Sequence, residues 1–248
     1  MFPILFEIFG FPVSSFGVML AIAFLAGTWL TAKRMEEVGL DPEGATTMLI
    51  YAMIGGIGGA KLYFAVDVSL REGIPFLQLL LAREGITFYG GLIGGITAVV
   101  IGTRIHGIPT GLFFNCVALA GAIGQAFGRI GCFLVGDDYG RPTDLPWGIA
   151  FPEGAPPTIE RVHPTQLYEA AWLFALTLFL WRRRHRSPLL WGEYLVLAAV
   201  ARFAIEFLRL NPRLVAGLSE AQVIAVLLAL VGGGSWLWAR RNPAAATA

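Results

Sequence analysis

Seven apolar windows, each close to the length of a membrane crossing, dominate this 248-residue chain. A helix needs about 20 mostly apolar residues to traverse a bilayer core. Windows 14–32, 44–66, 86–104, 110–130, 164–181, 189–209 and 218–239 meet that requirement. Only 14% of the residues are charged and the mean hydropathy is +0.68, whereas roughly a quarter of the residues in a soluble domain are charged. The expected fold class is therefore all-α: a polytopic membrane protein with seven transmembrane helices, forming a single membrane-embedded domain over 1–248. The apolar runs are continuous, not alternating, which argues against a β-barrel. No internal repeat is visible, which argues against a transporter of inverted halves. The net charge of +1 gives no footprint for nucleic acid. Cys116 and Cys132 are too few for a disulfide framework and are read as free thiols. The start Met1-Phe2-Pro3 lacks the basic residues of a cleaved signal peptide, so none is expected.

The loops between the windows differ in charge. Lys33, Arg34, Arg104, Arg182, Arg183, Arg184, Arg186, Arg240 and Arg241 fall on one side; Arg71, Arg83, Arg141, Arg161 and Arg213 fall on the other. The positive-inside rule places the first set in the cytoplasm, with the N-terminus outside and the C-terminus inside. The longest stretch without a window, about 131–163, is rich in Pro and Gly and is then an external loop. Long loops in compact proteins are often functional.

Lys61, Arg129, Glu169, Arg202 and Glu206 lie within the windows or at their ends. A charge near the bilayer centre costs a few kcal/mol even on lenient scales (about 2.5–3.5), so each is a candidate functional residue. Helical rise places Arg202 roughly 20 Å from the cytoplasmic face. Arg129, Tyr89 and His163 fall at the outer ends of their windows, and Lys61 in the outer third of its own. The polar groups therefore converge on the outer leaflet. Arg202, Glu206 and Arg209 are spaced i, i+4, i+7, which puts them on one face of one helix. Either the triad neutralises itself, or Glu206 holds a guanidinium for an anionic ligand. Arg129 stands between Gly128 and Gly131, where backbone and ligand can approach closely, and arginine suits a phosphate in a partly dry site. Two such clamps point to a phospholipid head group.

The motifs extend this reading. Phe88-Tyr89-Gly90-Gly91-Leu92-Ile93-Gly94 is the first block. Gly128-Arg129-Ile130-Gly131-Cys132-Phe133, with Gly136-Asp137 and Tyr139-Gly140-Arg141, is the second. His163-Pro164-Thr165-Gln166-Leu167-Tyr168-Glu169 follows, then Arg202 with Glu206-Phe207-Leu208-Arg209, and Ser219 with Gln222. In this order the blocks resemble the bacterial prolipoprotein diacylglyceryl transferases, over about residues 14 to 239. The resemblance implies seven spans with the N-terminus outside, in the bacterial cytoplasmic (inner) membrane. It implies transfer of the diacylglyceryl group of phosphatidylglycerol to the lipobox cysteine of a prolipoprotein, giving a thioether and glycerol 1-phosphate. No metal or soluble cofactor is implied.

By the same resemblance, the catalytic residues are Tyr89, Arg129 and Arg202. Arg129 also binds substrate, with Cys132, Asp137, Gly140, His163, Gln166, Tyr168, Glu206 and Gln222. Four positions depart from the family pattern: Phe16 and Ala198 stand where Tyr is found, Cys132 where Asn is, and Asp137 where Glu is. The implied chemistry needs a thiolate nucleophile and guanidiniums that stabilise the departing phosphate. A tyrosine hydroxyl titrates near 10, so Tyr89 either acts as base beside a strong cation or orients the substrate. The competing reading is a non-catalytic paralogue that binds lipid or lipoprotein.

Overall fold

The computed structural model describes residues 3–8, 11–82, 85, 87–215 and 217–242. Arg83, counted above among the loop cations, lies outside them, as do Met1 and Phe2. In chain order the elements are β1 (Ile4–Ile8), β2 (Phe11–Ser14), α1 (Ser15–Glu37), α2 (Glu43–Glu72), α3 (Phe76–Leu81), α4 (Phe88–Ile105) and α5 (Thr110–Val135). There follow β3 (Ile149–Phe151), β4 (Thr158–Val162), α6 (Thr165–Arg183), α7 (Leu190–Ile205), β5 (Arg213–Val215), β6 (Leu218–Ser219) and α8 (Glu220–Arg241). Each apolar window overlaps one helix. Helices α1, α2, α5 and α8 are long and apolar enough to cross a membrane, and Tyr89–Ile105 forms a shorter apolar helix. The chain is thus mostly helical, with the character of a polytopic membrane protein. Large apolar side chains such as Leu25, Ile54, Leu70 and Leu230 stand exposed, as lipid-facing residues do.

Three antiparallel two-stranded sheets, β1–β2, β3–β4 and β5–β6, supplement the helices. The all-α expectation omitted them because strands of two to five residues carry too little periodicity to register.

The chain groups into two compact units, Met1–Thr31 with Phe114–Thr247, and Ala32–Phe113. In the second unit α2 and α4 meet through glycine. A Cβ on Gly55 would fall 2.6 Å from the carbonyl oxygen of Gly94, so the backbones approach as closely as small-residue interfaces between membrane helices allow. Helix α2 outruns its window by six residues. The Asp67–Arg71 pair at 2.8 Å supports this extension, and the helix ends on left-handed Gly73. Lys61 is accounted for here: its ammonium donates to the carbonyl of Ala82 at 2.6 Å.

In the first unit Leu119, Ala122, Ala126, Leu173, Leu176, Leu180 and Tyr194 form the main core, which Leu30 joins. They bring α1, α5, α6 and α7 together. Helices α7 and α8 touch where a Cβ on Gly192 would lie 2.8 Å from the Gly232 carbonyl oxygen. Helix α5 runs to Val135 and takes Gly131 and Cys132 with it; Gly136, at φ 77°, then stops it in the left-handed region. The loop that follows is a folded lobe. Tyr139 stacks on Phe151 at 5.3 Å between centroids, Phe133 meets the same ring edge-on, and Val162 completes this small core.

A candidate phosphate-binding site built from a ring of ion pairs

Four chain segments meet at one end of the first unit, each delivering charge. Helix α5 carries Arg129 near its C-terminus, and Asp138 follows in the loop. Glu169 stands in the second turn of α6. Arg202 closes α7, with Glu206 and Arg209 just beyond. The window 189–209 overstated this last helix. α7 stops at Ile205, Glu206–Leu208 form a 3-10 turn, and Arg209 is extended. The placement of the triad on one helix is therefore corrected, since Glu206 and Arg209 lie past the helix end, but Glu206 does stand between Arg202 and Arg209. Pro212 disfavours helix at Asn211 before it, and Arg209 bridges back to Gly140 through the backbone.

The six charges close into a ring. Arg129 Nη1 donates to Asp138 Oδ2 at 2.7 Å, and Arg129 Nε lies 2.7 Å from Glu169 Oε2. Arg202 Nη1 donates to Glu169 Oε1 at 3.2 Å, and its Nη2 lies 2.9 Å from Glu206 Oε2. Arg209 Nε is 3.6 Å from Glu206 Oε2, and its Nη2 reaches Asp138 Oδ1 and closes the circuit. Every cation has two anionic neighbours and every anion two cationic ones. Burying ions is tolerable only with such pairing.

The ring is not saturated with hydrogen bonds. Glu169 Oε2, Glu206 Oε2, and Nε and Nη1 of Arg209 are buried without an aligned hydrogen-bond partner among the described residues. Unsatisfied buried groups are rare and call for an explanation. Most of them gather on the ring or beside it, where Asp137 Oδ1 and Gln166 Oε1 join them, while Ser187 Oγ lies apart. The carboxylates also differ in exposure. The side chains of Glu169 and Glu206 are 5% and 0% exposed, and that of Asp138 is 40%.

The residues singled out from the sequence divide around this ring. Arg129, Arg202 and Glu206 are members of it. Glu206 is further held by Ser219 Oγ at 2.8 Å and Asn211 Nδ2 at 2.7 Å. Cys132 and Asp137 adjoin it, with the Cys132 sulfur 3.9 Å from Arg129 Nη1. Gln166 and Gln222 are fully buried behind it. Gln166 donates to the Asp137 carbonyl at 2.5 Å. Gln222 forms a capping box with Ser219 at the start of α8 and accepts from Arg213 at 2.5 Å. Gly140 brings the loop against the segment after α7, where an added Cβ would lie 2.6 Å from the Leu208 carbonyl oxygen. His163 at the end of the lobe meets Tyr168 in the first turn of α6. Their Nδ1 and hydroxyl are 3.4 Å apart, and Trp147 donates to the same hydroxyl at 2.8 Å. Tyr89 belongs to the other compact unit, in the first turn of α4, 43% exposed.

Three ring members escaped the list of site residues read from the sequence. Glu169 and Arg209 were in the motifs but carried no assigned role, and Glu169 was already conspicuous as a carboxylate inside an apolar window. Asp138 gave no signal at all. Its backbone does: φ is 62°, the one left-handed non-glycine among the described residues. Such strain concentrates at functional sites.

The loop carboxyls respond oppositely to this setting. Burial pushes Asp138 up, but the hydrogen bonds and charges of Arg209 and Arg129 outweigh it and hold its carboxyl below the usual range. Burial lifts Asp137 above its usual value, with the Asp138 charge adding to it, against a hydrogen bond from Cys132 and the pull of Arg129 and Arg209. Burial, with Arg141 nearby, lowers His163. The donor atoms of Cys132, Asp137 and Asp138 lie within 4.8 Å of one another. Arg129 and Arg209 bind Asp138 already, so a metal ion there would meet two fixed cations.

Comparison with known proteins gives a consistent answer. Residues 3–238 match the family model described as prolipoprotein diacylglyceryl transferase. The chain is 36% identical over 238 residues to the phosphatidylglycerol–prolipoprotein diacylglyceryl transferase of Clostridium tetani, covering 93% of this chain and 94% of that one. The protein of the same name from Clostridioides difficile is 33% identical over 233 residues, covering 92% and 91%. That from Synechocystis is 30% identical over 254 residues, covering 95% and 88%.

Proposed function

The chain belongs to the prolipoprotein diacylglyceryl transferase family, and we propose that it moves the diacylglyceryl group of phosphatidylglycerol onto the lipobox cysteine of a prolipoprotein. The observation that carries this reading is the alternating ring of three arginines and three carboxylates at the ends of α5 and α7. Its one exposed carboxylate, Asp138, spans Arg129 and Arg209 as two oxygens of a phosphodiester would. The lipid phosphate takes that place, with Arg202 held against it through Glu169 and Glu206.

In the reaction the lipobox thiol loses its proton, and the thiolate sulfur attacks the phosphate-bearing carbon of the diacylglycerol, not that of the head-group glycerol. A C–S bond forms, the C–O bond breaks, and glycerol 1-phosphate leaves with the electron pair. Guanidiniums already fixed where the charge grows stabilise that departure without reorganising. Tyr89 is assigned to the thiol, as base or as orienting group. Cys132, Asp137, His163 and Tyr168 border the lipid and peptide, while Gly140, Gln166 and Gln222 hold the backbone that carries the ring.

The membrane is the bacterial cytoplasmic (inner) membrane. The chain crosses it seven times, with the ring toward the outer leaflet and Arg182–Arg186 in the cytoplasm. A cysteine placed at Glu153 reacts with an impermeant thiol reagent in intact cells, and one placed at His185 does not; the reverse pattern inverts the topology. The activity itself is tested with purified protein in detergent, phosphatidylglycerol and a lipobox peptide. The peptide gains one diacylglyceryl mass and glycerol phosphate appears in equal amount. No product, under conditions where the Clostridium tetani relative works, favours the non-catalytic binding paralogue.

A further inference from the structure

The opposite end of the same unit holds a cavity with an excess of cations. Arg183, Arg186, Pro188, Trp236, Ala239 and Arg240 line an open cavity of about 450 Å³ where α6 and α8 end and α7 begins. Fourteen residues of α6 separate Glu169 from Arg183, roughly 21 Å of helix, so the cavity is distinct from the ring.

A basic cluster at a membrane face usually sets topology alone, with its side chains spread freely in water. Here one wall is built. Arg183 makes a two-pronged contact with Glu193, Nε to Oε2 at 2.8 Å and Nη2 to Oε1 at 2.7 Å. Trp236 Nε1 donates to the same Glu193 Oε1 at 3.2 Å, and the Arg240 guanidinium lies 5.5 Å from the Trp236 ring. Glu193 neutralises one arginine of the three. Arg186 and Arg240, both exposed, remain on the rim beside an indole, a ring that favours the head-group layer. Three arginines against one carboxylate leave the cavity net cationic, and its volume falls within the range of small-ligand sites, about 300–1,000 Å³. Basic pockets between membrane helices recognise anionic head groups in this way.

We propose that this cavity binds the phosphodiester head group of an anionic phospholipid from the adjacent leaflet. Arg186 and Arg240 contact the phosphate, while Arg183, fixed by Glu193, and Trp236 form the wall. The bound lipid joins the ends of α6 and α8. This binding is independent of the ring and of the transferase reaction.

The test is native mass spectrometry of the full-length protein, delipidated in detergent and titrated with cardiolipin, phosphatidylcholine or inorganic phosphate. Wild type retains one more tightly bound cardiolipin than the Arg186→Gln/Arg240→Gln double variant, whose apparent affinity for that lipid falls on the order of tenfold. Arg129→Gln, which disturbs the ring, leaves that lipid in place. A thermal melt run alongside gives the same ordering: cardiolipin raises the midpoint of wild type and of Arg129→Gln, but not of the double variant. Equal cardiolipin retention by wild type and double variant overturns the proposal. So does equal retention of zwitterionic phosphatidylcholine, or binding of inorganic phosphate that abolishes the preference for lipid.

Discussion

Glu169 holds two arginines at once: its Oε2 lies 2.7 Å from Arg129 Nε, and its Oε1 accepts from Arg202 Nη1 at 3.2 Å. The carboxylate is 5% exposed and sits on α6, while the arginines come from α5 and α7. It is therefore both the electrostatic and the mechanical link between Arg129, one of the pair the phosphate spans, and Arg202, which is held against it. Glu169→Gln removes the charge and keeps the size. It leaves two partly buried guanidiniums short of one anion, and breaking a buried pair costs about 3–5 kcal/mol. We expect a lower melting temperature in detergent and at least a tenfold fall in the transfer rate. A melt and rate equal to wild type would show that the ring holds without its bridge.

Asp138 makes a different prediction, because the phosphate is to replace it. Asp138→Asn takes away the competing charge and tolerates the left-handed backbone, which Asn shares with Asp. The KM for phosphatidylglycerol falls in this variant, although the resting protein is less stable. Its effect on pH dependence has a definite sign. The folded-state value of Asp138 lies below the ordinary 3.8, so its ionisation stabilises the fold above that pH. The contribution disappears as pH falls from about 3.8 through the lower folded value. Asp137, shifted upward, acts the other way: its ionisation costs stability, and protonation relieves the cost. Melting temperatures from pH 3 to 7 in detergent drop at the acid end for wild type, and less steeply for Asp138→Asn. An unchanged KM with an identical acid limb would remove Asp138 from the ring's function.

What the sequence revealed of this site follows from how charge is read in apolar windows. Arg129, Arg202 and Glu206 were legible because a charge inside an apolar run needs a reason. The helices that overlap the seven windows were legible for the same reason in reverse, through long runs without charge, whereas the six-residue α3 fell outside every window. Asp138 was invisible: it lies in a polar loop, where a carboxylate is ordinary, and only the fold carries that loop to Arg129 and Arg209. The extent of α7 was misjudged because Phe207, Leu208 and Leu210 continue the apolar run past Ile205. Apolarity measures length of burial, whereas Pro212 and the contacts of Arg209 with Asp138 and Gly140 decide where the helix stops. Gln166 and Gln222 matched a motif as substrate contacts; both are fully buried here, Gln166 bonded to the Asp137 carbonyl and Gln222 capping α8. A motif residue can build a site as well as touch its ligand.

Gly140 tests this distinction between building and touching. It lies where the loop crosses the segment after α7, with its N–H donated to the His163 carbonyl at 2.8 Å. Gly140→Ala places a methyl 2.6 Å from the Leu208 carbonyl oxygen and 2.8 Å from Thr165 Cγ2. Either the loop retreats, and Asp138 with it, or the Leu208 carbonyl moves and shifts Arg209. Overpacking of this kind costs typically about 1–3 kcal/mol. The expected outcome is a lower melting temperature and a reduced rate, with KM and kcat both affected because the ring itself is displaced. Unchanged kinetics would confine Gly140 to a loop that the ring does not feel.

Arg129 and Arg202 are expected to act as a unit. Each is joined to Glu169, so movement of one is felt by the other, and both are to stabilise charge on the same departing phosphate. Removing one preorganised donor typically costs about 10²–10³ in turnover. We expect losses of that order for Arg129→Ala and for Arg202→Ala. Lysine at either position rescues poorly, because an ammonium cannot replace the two-nitrogen contacts that each guanidinium makes with two different carboxylates. The decisive comparison is the double variant. If the arginines work as one device, the second substitution adds little to the first, as for residues acting as a unit. A coupling energy between contacting groups is in any case expected, so stability must be measured alongside rates. Initial rates and melting temperatures of the two Ala variants, the two Lys variants and the double complete the cycle. Strictly multiplicative losses in rate, with additive losses in stability, would separate the two arginines into independent roles and reduce Glu169 to a structural counterion.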